Sequence, residues 1–148
     1  MHIVDSHFHY WPRALYERLC SRKGYPRAER NERGGYTYWR LEGREPAFNV
    51  SSVWFELDQM LARMDELGHR VDVISSIGPI SPHFSDVPVE EGRDDATLWN
   101  EEIAAAQRRY AGRFWGSAAV PLRDARVAIE VLDHAVQKLG LIGVNIPG

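Results

Sequence analysis

Short apolar segments alternate with amphipathic helical segments along most of this chain, and that order restricts the fold more than any other feature. The segment 2–9 begins as a short apolar strand and ends in a polar cluster, and further apolar runs of strand length occupy residues 71–76, 114–120 and 141–146. Helices are predicted between these runs over 55–67, over 95–110 with Asp94 or Asp95 as its cap, and after the cap Asp124. Strands that alternate with helices favour parallel pairing through right-handed crossovers, so the sequence predicts an α/β fold with about four parallel strands.

Four such units amount to half of a (β/α)₈ barrel. A complete barrel needs about 250 residues, whereas this chain has 148. We therefore expect residues 1–148 to form one partial domain, the N-terminal half of a TIM barrel. A small open doubly wound sheet is the alternative, although no strand is followed by a glycine-rich phosphate-binding motif.

Residues 13–50 differ in kind from the rest of the chain. They contain eight arginines together with tyrosines and the pair Gly34 and Gly35. Such a segment is too long for an ordinary connection between a strand and a helix. The sequence predicts a lid-like functional loop here, or a partly disordered one.

Composition and charge exclude several classes of partner. The net charge of −3 gives no reason to expect a nucleic acid or an anionic membrane as a partner. No apolar run approaches the length of a spanning helix, and no secretion signal is visible. The single cysteine, Cys20, excludes an internal disulfide, so we expect a cytoplasmic protein.

Three polar side chains with metal-binding potential lie at the end of the first strand. Asp5, His7 and His9 occupy alternate positions, so in a regular strand all three point to one side. Zinc and similar ions favour neutral imidazole, and catalytic sites commonly use three protein ligands. His7 and His9 are therefore predicted as two ligands of an incomplete site. Two unrelated surface histidines are the alternative.

The segment Val4–His9 resembles the first-strand D-x-H-x-H signature of the amidohydrolase superfamily. The chain outside residues 13–50 is similar to its amidohydrolase-2 branch, the family of aminocarboxymuconate-semialdehyde decarboxylase. The likeness is carried by MDELG at 64–68, VDVIS at 71–75, residues 100–110, RFWG at 113–116, PLRD at 121–124 and LGLIGV at 139–144. The resemblance implies a metal-dependent hydrolase or non-oxidative decarboxylase with a TIM barrel and one divalent ion, often zinc, bound by His7 and His9.

One departure from this family pattern affects every functional expectation. The family takes its other ligands, further histidines and an aspartate, from strands five, six and eight, and only four strands are predicted here. His69, His83 and His134 do not occupy the corresponding positions, and we expect structural or solvated roles for them. No catalytic residue is identifiable, so we expect a fragment or the product of a truncated reading frame. Alone it should be inactive, bind metal weakly and self-associate through its open sheet edges.

The implied substrate is a small carboxylic acid, and three residues are candidates to contact it. Arg40 and Arg44 lie in the long loop, where relatives place a carboxylate-binding arginine, and a guanidinium binds a carboxylate with two hydrogen bonds. His83 follows the second strand. Trp11, Trp39 and Trp54 are weaker candidates for pocket walls. The alternatives are a lactone hydrolase of the same superfamily, because residues 5–11 also resemble the lactonase opening, and a non-catalytic fragment or assembly partner.

Overall fold

The structure is a computed structural model that describes residues 3–68 and 70–146. Eight strands and five α-helices lie along these residues, together with two short 3₁₀ helices, Ser52–Phe55 and Gly78–Ile80. The strands are β1 Ile3–Phe8, β2 Arg27–Arg30, β3 Tyr36–Trp39, β4 Phe48–Val50, β5 Val71–Ser75, β6 Phe114–Trp115, β7 Ser117–Ala118 and β8 Gly143–Val144. The helices are α1 Arg13–Cys20, α2 Leu57–Glu66, α3 His83–Asp86, α4 Val89–Arg109 and α5 Ala125–Gln137.

The predicted parallel strands are present, in the predicted order. One sheet has the order β1-β5-β6, and a second joins β7 to β8, with every pair parallel. The predicted third strand is divided at Gly116 into two short pieces. A side chain there would lie 2.5 Å from the Ile103 side chain and 2.6 Å from that of Leu141. Only glycine therefore allows α4 and the segment before β8 to approach this closely.

The prediction that residues 13–50 form an irregular or partly disordered loop is wrong, because half of this segment lies in one helix and three strands. A lid role for the segment stays a prediction. α1 is followed by the antiparallel sheet β2-β3-β4, in which Arg27 pairs with Trp39 and Tyr36 pairs with Val50. This sheet has a buried side, formed by Ala28, Tyr36, Tyr38 and Val50. Those apolar contacts provide the stabilisation that a solvated arginine-rich loop would lack.

The three long helices agree with the predictions to different degrees. α2 lies within the predicted range, and Asp124 caps α5 by accepting the backbone N–H groups of Arg126 and Val127. α4 begins six residues before its predicted start, directly after Pro88. Asp94 and Asp95 are therefore inside the helix and are not its cap. No helix within 3–68 and 70–146 combines the length and the hydropathy that a membrane crossing requires.

Aromatic side chains form much of the core between α1, α2 and the antiparallel sheet. The rings of Trp11 and Tyr16 stack at 5.9 Å, and those of Tyr16 and Tyr36 stack at 5.1 Å. Phe55 packs edge-on against both tyrosines. This cluster continues directly from the end of β1, so the antiparallel sheet is fixed beside the residues that follow that strand.

Candidate functional site

The end of β1 does not have the regular geometry that the sequence analysis assumed. β1 and β5 pair in register as far as Asp5 with Val73, and the register then shifts before Phe8 pairs with Ser75. The backbone N–H of His7 donates to the Asp5 carboxylate at 2.9 Å. Because the shift interrupts the alternation, it removes the basis for placing Asp5 on the same side as the two histidines.

His7 and His9 nevertheless lie together. Their ring centres are 4.7 Å apart and the rings are almost perpendicular. With zinc–nitrogen distances of about 2.0–2.1 Å, two imidazoles that bind one ion at nitrogen–metal–nitrogen angles of about 90–110° have ring centres roughly 4.5–5.2 Å apart. His7 is exposed and His9 is half-buried. The pair therefore has a spacing that one divalent ion can bridge.

The loop after β5 holds the His9 ring. Nδ1 of His9 lies 3.0 Å from the carbonyl oxygen of Ser76. A carbonyl can only accept, so this contact places a proton on Nδ1 and leaves the lone pair of the neutral ring on Nε2. Metal-ligating histidines are commonly oriented by such a contact from the second ring nitrogen.

Gly78 makes room for this ring. Its φ of +68° lies in the left-handed region, and a Cβ atom there would lie 2.7 Å from Cε1 of His9. A larger residue would therefore be strained in its backbone and would also displace the imidazole.

Two tryptophans pack beside His9. The Trp54 ring lies 5.4 Å from the imidazole and stacks on Trp11 at 5.3 Å, and Trp11 lies 6.0 Å from His9. Trp11 is only 2% exposed, so it supports the neighbouring rings and cannot form the wall of an open pocket. Trp54 is half-buried and borders the histidine pair, and Trp39 is half-buried on β3.

A complete metal site is not present among the described residues. Within 3–68 and 70–146, no three His, Cys, Asp or Glu side chains are grouped closely enough to hold a metal ion. Two preorganised imidazoles provide half of the usual four-coordinate shell. The donor chemistry of the histidine pair therefore fits a divalent ion that receives its other ligands from elsewhere.

The arginine candidates differ in their surroundings. Arg40 donates two hydrogen bonds to Asp86, from Nε at 2.6 Å and from Nη2 at 2.9 Å. This pairing raises the pKa of the Arg40 guanidinium above its ordinary value. Arg44 is exposed between β3 and β4 and has no ion-pair or hydrogen-bond partner among the described side chains. Both remain predictions as substrate ligands, and in this conformation Asp86 occupies the binding edge of Arg40.

His83 is part of a buried network. Its side chain is fully buried, with Nε2 2.7 Å from the Asp95 carboxylate and Nδ1 3.2 Å from the Tyr38 hydroxyl. A substrate cannot reach this ring in the present conformation, so the predicted substrate contact has no support from the packing. His134 is exposed on α5, as predicted, and His69 lies outside the described residues.

Sequence reasoning missed the residues that hold these histidines. Ser76 acts through its backbone carbonyl, which no side-chain motif reveals. Asp95 did have a signal, because it precedes Trp99 and Ile103 at intervals of four and so lies on the apolar face of a helix. A carboxylate on such a face needs a buried partner.

Two further ionisable groups are shifted by burial. Burial raises the pKa of the Tyr38 hydroxyl, and the nearby Asp86 carboxylate raises it further. Burial likewise raises the pKa of the half-buried Cys20 thiol. Both groups therefore stay protonated at neutral pH, so Tyr38 remains a hydrogen-bond donor and Cys20 is not an activated nucleophile.

Comparison with known proteins identifies the fold. No protein-family model matches the chain. Similar solved structures include a candidate amidohydrolase from Staphylococcus aureus, with a TM-score of 0.63, 15% identity and coverage of 100% of this chain and 38% of the other. The IDCase of Metarhizium anisopliae in apo form has a TM-score of 0.65 and 19% identity, with 89% and 38% covered.

A third similar structure is the 2,6-dihydroxybenzoate decarboxylase from Rhizobium, with a TM-score of 0.58, 22% identity and 99% and 38% covered. The related decarboxylase of a Polaromonas species was solved with manganese and the inhibitor 2-nitroresorcinol. The chain spans about two fifths of the length of these proteins. It therefore has part of the fold that they share.

Proposed function

We propose that the chain supplies the first-strand histidine pair of a metal-dependent decarboxylase or hydrolase of the amidohydrolase superfamily, in its amidohydrolase-2 branch. The substrate would be a small carboxylic acid. Two of the similar structures are decarboxylases of dihydroxybenzoates, which favours carbon–carbon lyase chemistry over hydrolysis. In this proposal residues 1–148 correspond to the N-terminal half of a TIM barrel.

The observation that carries the proposal is the contact between His9 and the Ser76 carbonyl. It fixes the imidazole with Nε2 free to bind a cation, and it lies at the carboxyl end of a parallel strand, where barrel enzymes place their active sites. His7, with its ring 4.7 Å away, supplies the second nitrogen. Because an exposed pair of unrelated histidines has no need of such a support, the geometry favours a ligand role.

The roles of the surrounding residues follow from this arrangement. His7 and His9 would hold the ion, Ser76 would orient His9, and Trp54 would shield one side of the pair from water. The ion, when bound, would polarise the oxygen atoms of the substrate carboxylate. A protein base and the remaining metal ligands are not assigned to any described residue.

Paramagnetic broadening tests the proposal directly. Manganese is the ion bound in one of the similar structures, and Mn²⁺ broadens the NMR signals of the protons nearest to it. We expect the ring signals of His7 and His9 to broaden at Mn²⁺ concentrations that leave the exposed His134 sharp. The chain has six histidines, which provide the internal comparison.

Variants separate specific from non-specific binding. In His7→Ala the broadening of His9 should weaken strongly, because one of the two nitrogens is lost, whereas His134→Ala should leave it unchanged. Equal broadening of all histidines, or His9 broadening that is unaffected in His7→Ala, would overturn the proposal.

A further inference from the structure

A single buried histidine connects three elements that are far apart in sequence. His83 is the first residue of α3, and its ring contacts Tyr38 of β3 and Asp95 of α4. All three side chains are buried, with exposed fractions of 1%, 2% and 0% for His83, Tyr38 and Asp95. Buried polar groups of this kind are costly unless every member has a partner.

The hydrogen bonds in this network have one consistent direction. The Tyr38 hydroxyl remains protonated, since burial raises its pKa, and it donates to Nδ1 of His83. Nε2–H of the same ring donates to the Asp95 carboxylate. An imidazole with its proton on Nε2 therefore satisfies both neighbours at once, since Nδ1 accepts and Nε2–H donates.

Ion pairs fix the outer parts of the same network. Arg18 of α1 lies 2.9 Å from the second oxygen of Asp95, although its N–H is not aligned for a hydrogen bond. Arg40, at the end of β3, forms its two hydrogen bonds with Asp86, the last residue of α3. The antiparallel sheet is thereby attached to both ends of α3.

The segment 76–82 connects this attached helix to the His9 site. At its start the Ser76 N–H donates to the Phe8 carbonyl at 2.7 Å, and the Ser76 carbonyl accepts from His9. In its middle Gly78 lies against the imidazole, and the Ser81 N–H donates to the Gly78 carbonyl at 3.0 Å. At its end the segment enters α3, where His83 holds it.

We infer that His83 is a positioning residue that acts through the segment 76–82 to keep the Ser76 carbonyl and Gly78 against His9. The inference rests on the proposed function, since it concerns the orientation of a proposed metal ligand. Within the described residues, the His83 ring makes its hydrogen bonds and ring contacts with Tyr38, Asp95 and Phe84, and neither His7 nor His9 is among them. Its role is to anchor the C-terminal end of this largely buried connection between the parallel sheet and α3.

The consequence is measurable without a metal ion. In the wild type the Ser76 carbonyl should keep the neutral His9 ring mainly as the Nδ1–H form. When the anchor is lost, the segment 76–82 gains freedom and the carbonyl no longer selects that form. The fraction of the Nε2–H form, which is the usual majority in unconstrained histidine, should then rise.

The test is ¹⁵N NMR of the histidine rings in the metal-free chain, which distinguishes the two neutral forms by their nitrogen shifts. Tyr38→Phe removes one hydrogen bond at constant shape, and His83→Gln keeps a donor toward Asp95 only. We expect the ratio of Nδ1–H to Nε2–H in His9 to fall in Tyr38→Phe, by up to about fivefold when the whole effect of one ordinary hydrogen bond reaches His9, and to fall further in His83→Gln. His134→Gln is the matched control and should leave the ratio unchanged.

Folding is monitored by near-ultraviolet circular dichroism, and Tyr38→Phe keeps the test decisive if His83→Gln unfolds. A His9 ratio that is unchanged in folded Tyr38→Phe and in folded His83→Gln would overturn the inference. The Mn²⁺ titration of the wild type is independent of this outcome, so a failure of the metal proposal is recognised separately. If both hold, the folded variants should also bind Mn²⁺ about tenfold more weakly, as is typical when an outer support of a ligand is lost.

Discussion

Replacement of Asp95 by asparagine should destabilise the chain far more than the same change at Asp94. Asp95 is completely buried and binds His83 at 2.7 Å and Arg18 at 2.9 Å, whereas Asp94 is exposed on the same helix with Arg93 at 3.6 Å. The two substitutions remove the same charge at neighbouring positions of α4. Any difference between them therefore reports the buried network.

The magnitude follows from the partners of each carboxylate. A buried hydrogen bond to a charged group contributes about 1.5–3 kcal/mol, and the half-exposed Arg18 adds up to about 1 kcal/mol. Asp95→Asn should therefore lower the free energy of unfolding by about 2–4 kcal/mol, while Asp94→Asn should change it by less than about 0.5 kcal/mol. A loss of this size is a large part of the stability of an ordinary domain.

Urea unfolding followed by near-ultraviolet circular dichroism measures the difference. With a slope of about 2 kcal/mol per molar urea, the midpoint should fall by about 1–2 M in Asp95→Asn. The double variant Asp95→Asn/His83→Gln should lose less than the two single losses together, because the residues share one interaction. Equal midpoints for the Asp94 and Asp95 variants, or additive losses in the double variant, would refute the reasoning.

Four further predictions concern the isolated chain. Metal analysis after dialysis against a chelator should find well under one ion per chain, because two imidazoles are an incomplete site. For the same reason, the rate of decarboxylation of 2,6-dihydroxybenzoate with added Mn²⁺ should not exceed that of the His7→Ala/His9→Ala variant. Light scattering should find self-association, because Val4, Ile142 and Ile146 are at least half exposed; a monodisperse monomer would contradict this. Burial, together with a hydrogen bond to Asp58, raises the pKa of Tyr110 to about 12. The stabilisation from the protonated Tyr110 hydroxyl should therefore be complete below pH 10 and lost as the pH rises to about 12. Spectroscopic titration of the wild type against Tyr110→Phe measures this pKa.

The periodicity of apolar residues in the sequence was sufficient to predict the parallel strands and the helices between them. Apolar residues in the strands and along one face of each helix indicate which side chains are buried, and the structure has these elements in the predicted order. Asp124 was recognisable as a cap because capping depends on the residues immediately after it. Local chemistry and one buried face therefore determine these elements.

The remaining parts depend on contacts between distant residues. Tyr36 lies on the buried side of β3 and stacks on Tyr16 of α1, about 20 residues earlier in the sequence. Tyr38, on the same side of β3, stacks on Phe48 and contacts His83. Asp95 looks like a cap until its distant partner His83 is known. The support of His9 by the Ser76 carbonyl is a backbone contact across 67 residues of sequence, and it leaves no pattern that a single sequence can display.

The antiparallel sheet also has a consequence for the order of folding. The pairing of β1 with β5 joins Ile3 to Val71 and so closes a loop of nearly half the chain, whereas β2 and β3 are joined by a short turn between Arg30 and Tyr36. Closing a long flexible loop costs several kcal/mol of chain entropy before any parallel contact forms. If β2, β3 and β4 form first, residues 27–50 of that loop are already compact, and we expect the ends of β1 and β5 to come closer together. We therefore expect the antiparallel sheet to form before the parallel strands assemble, so that substitutions in the β2–β3 turn slow folding more than substitutions in β5.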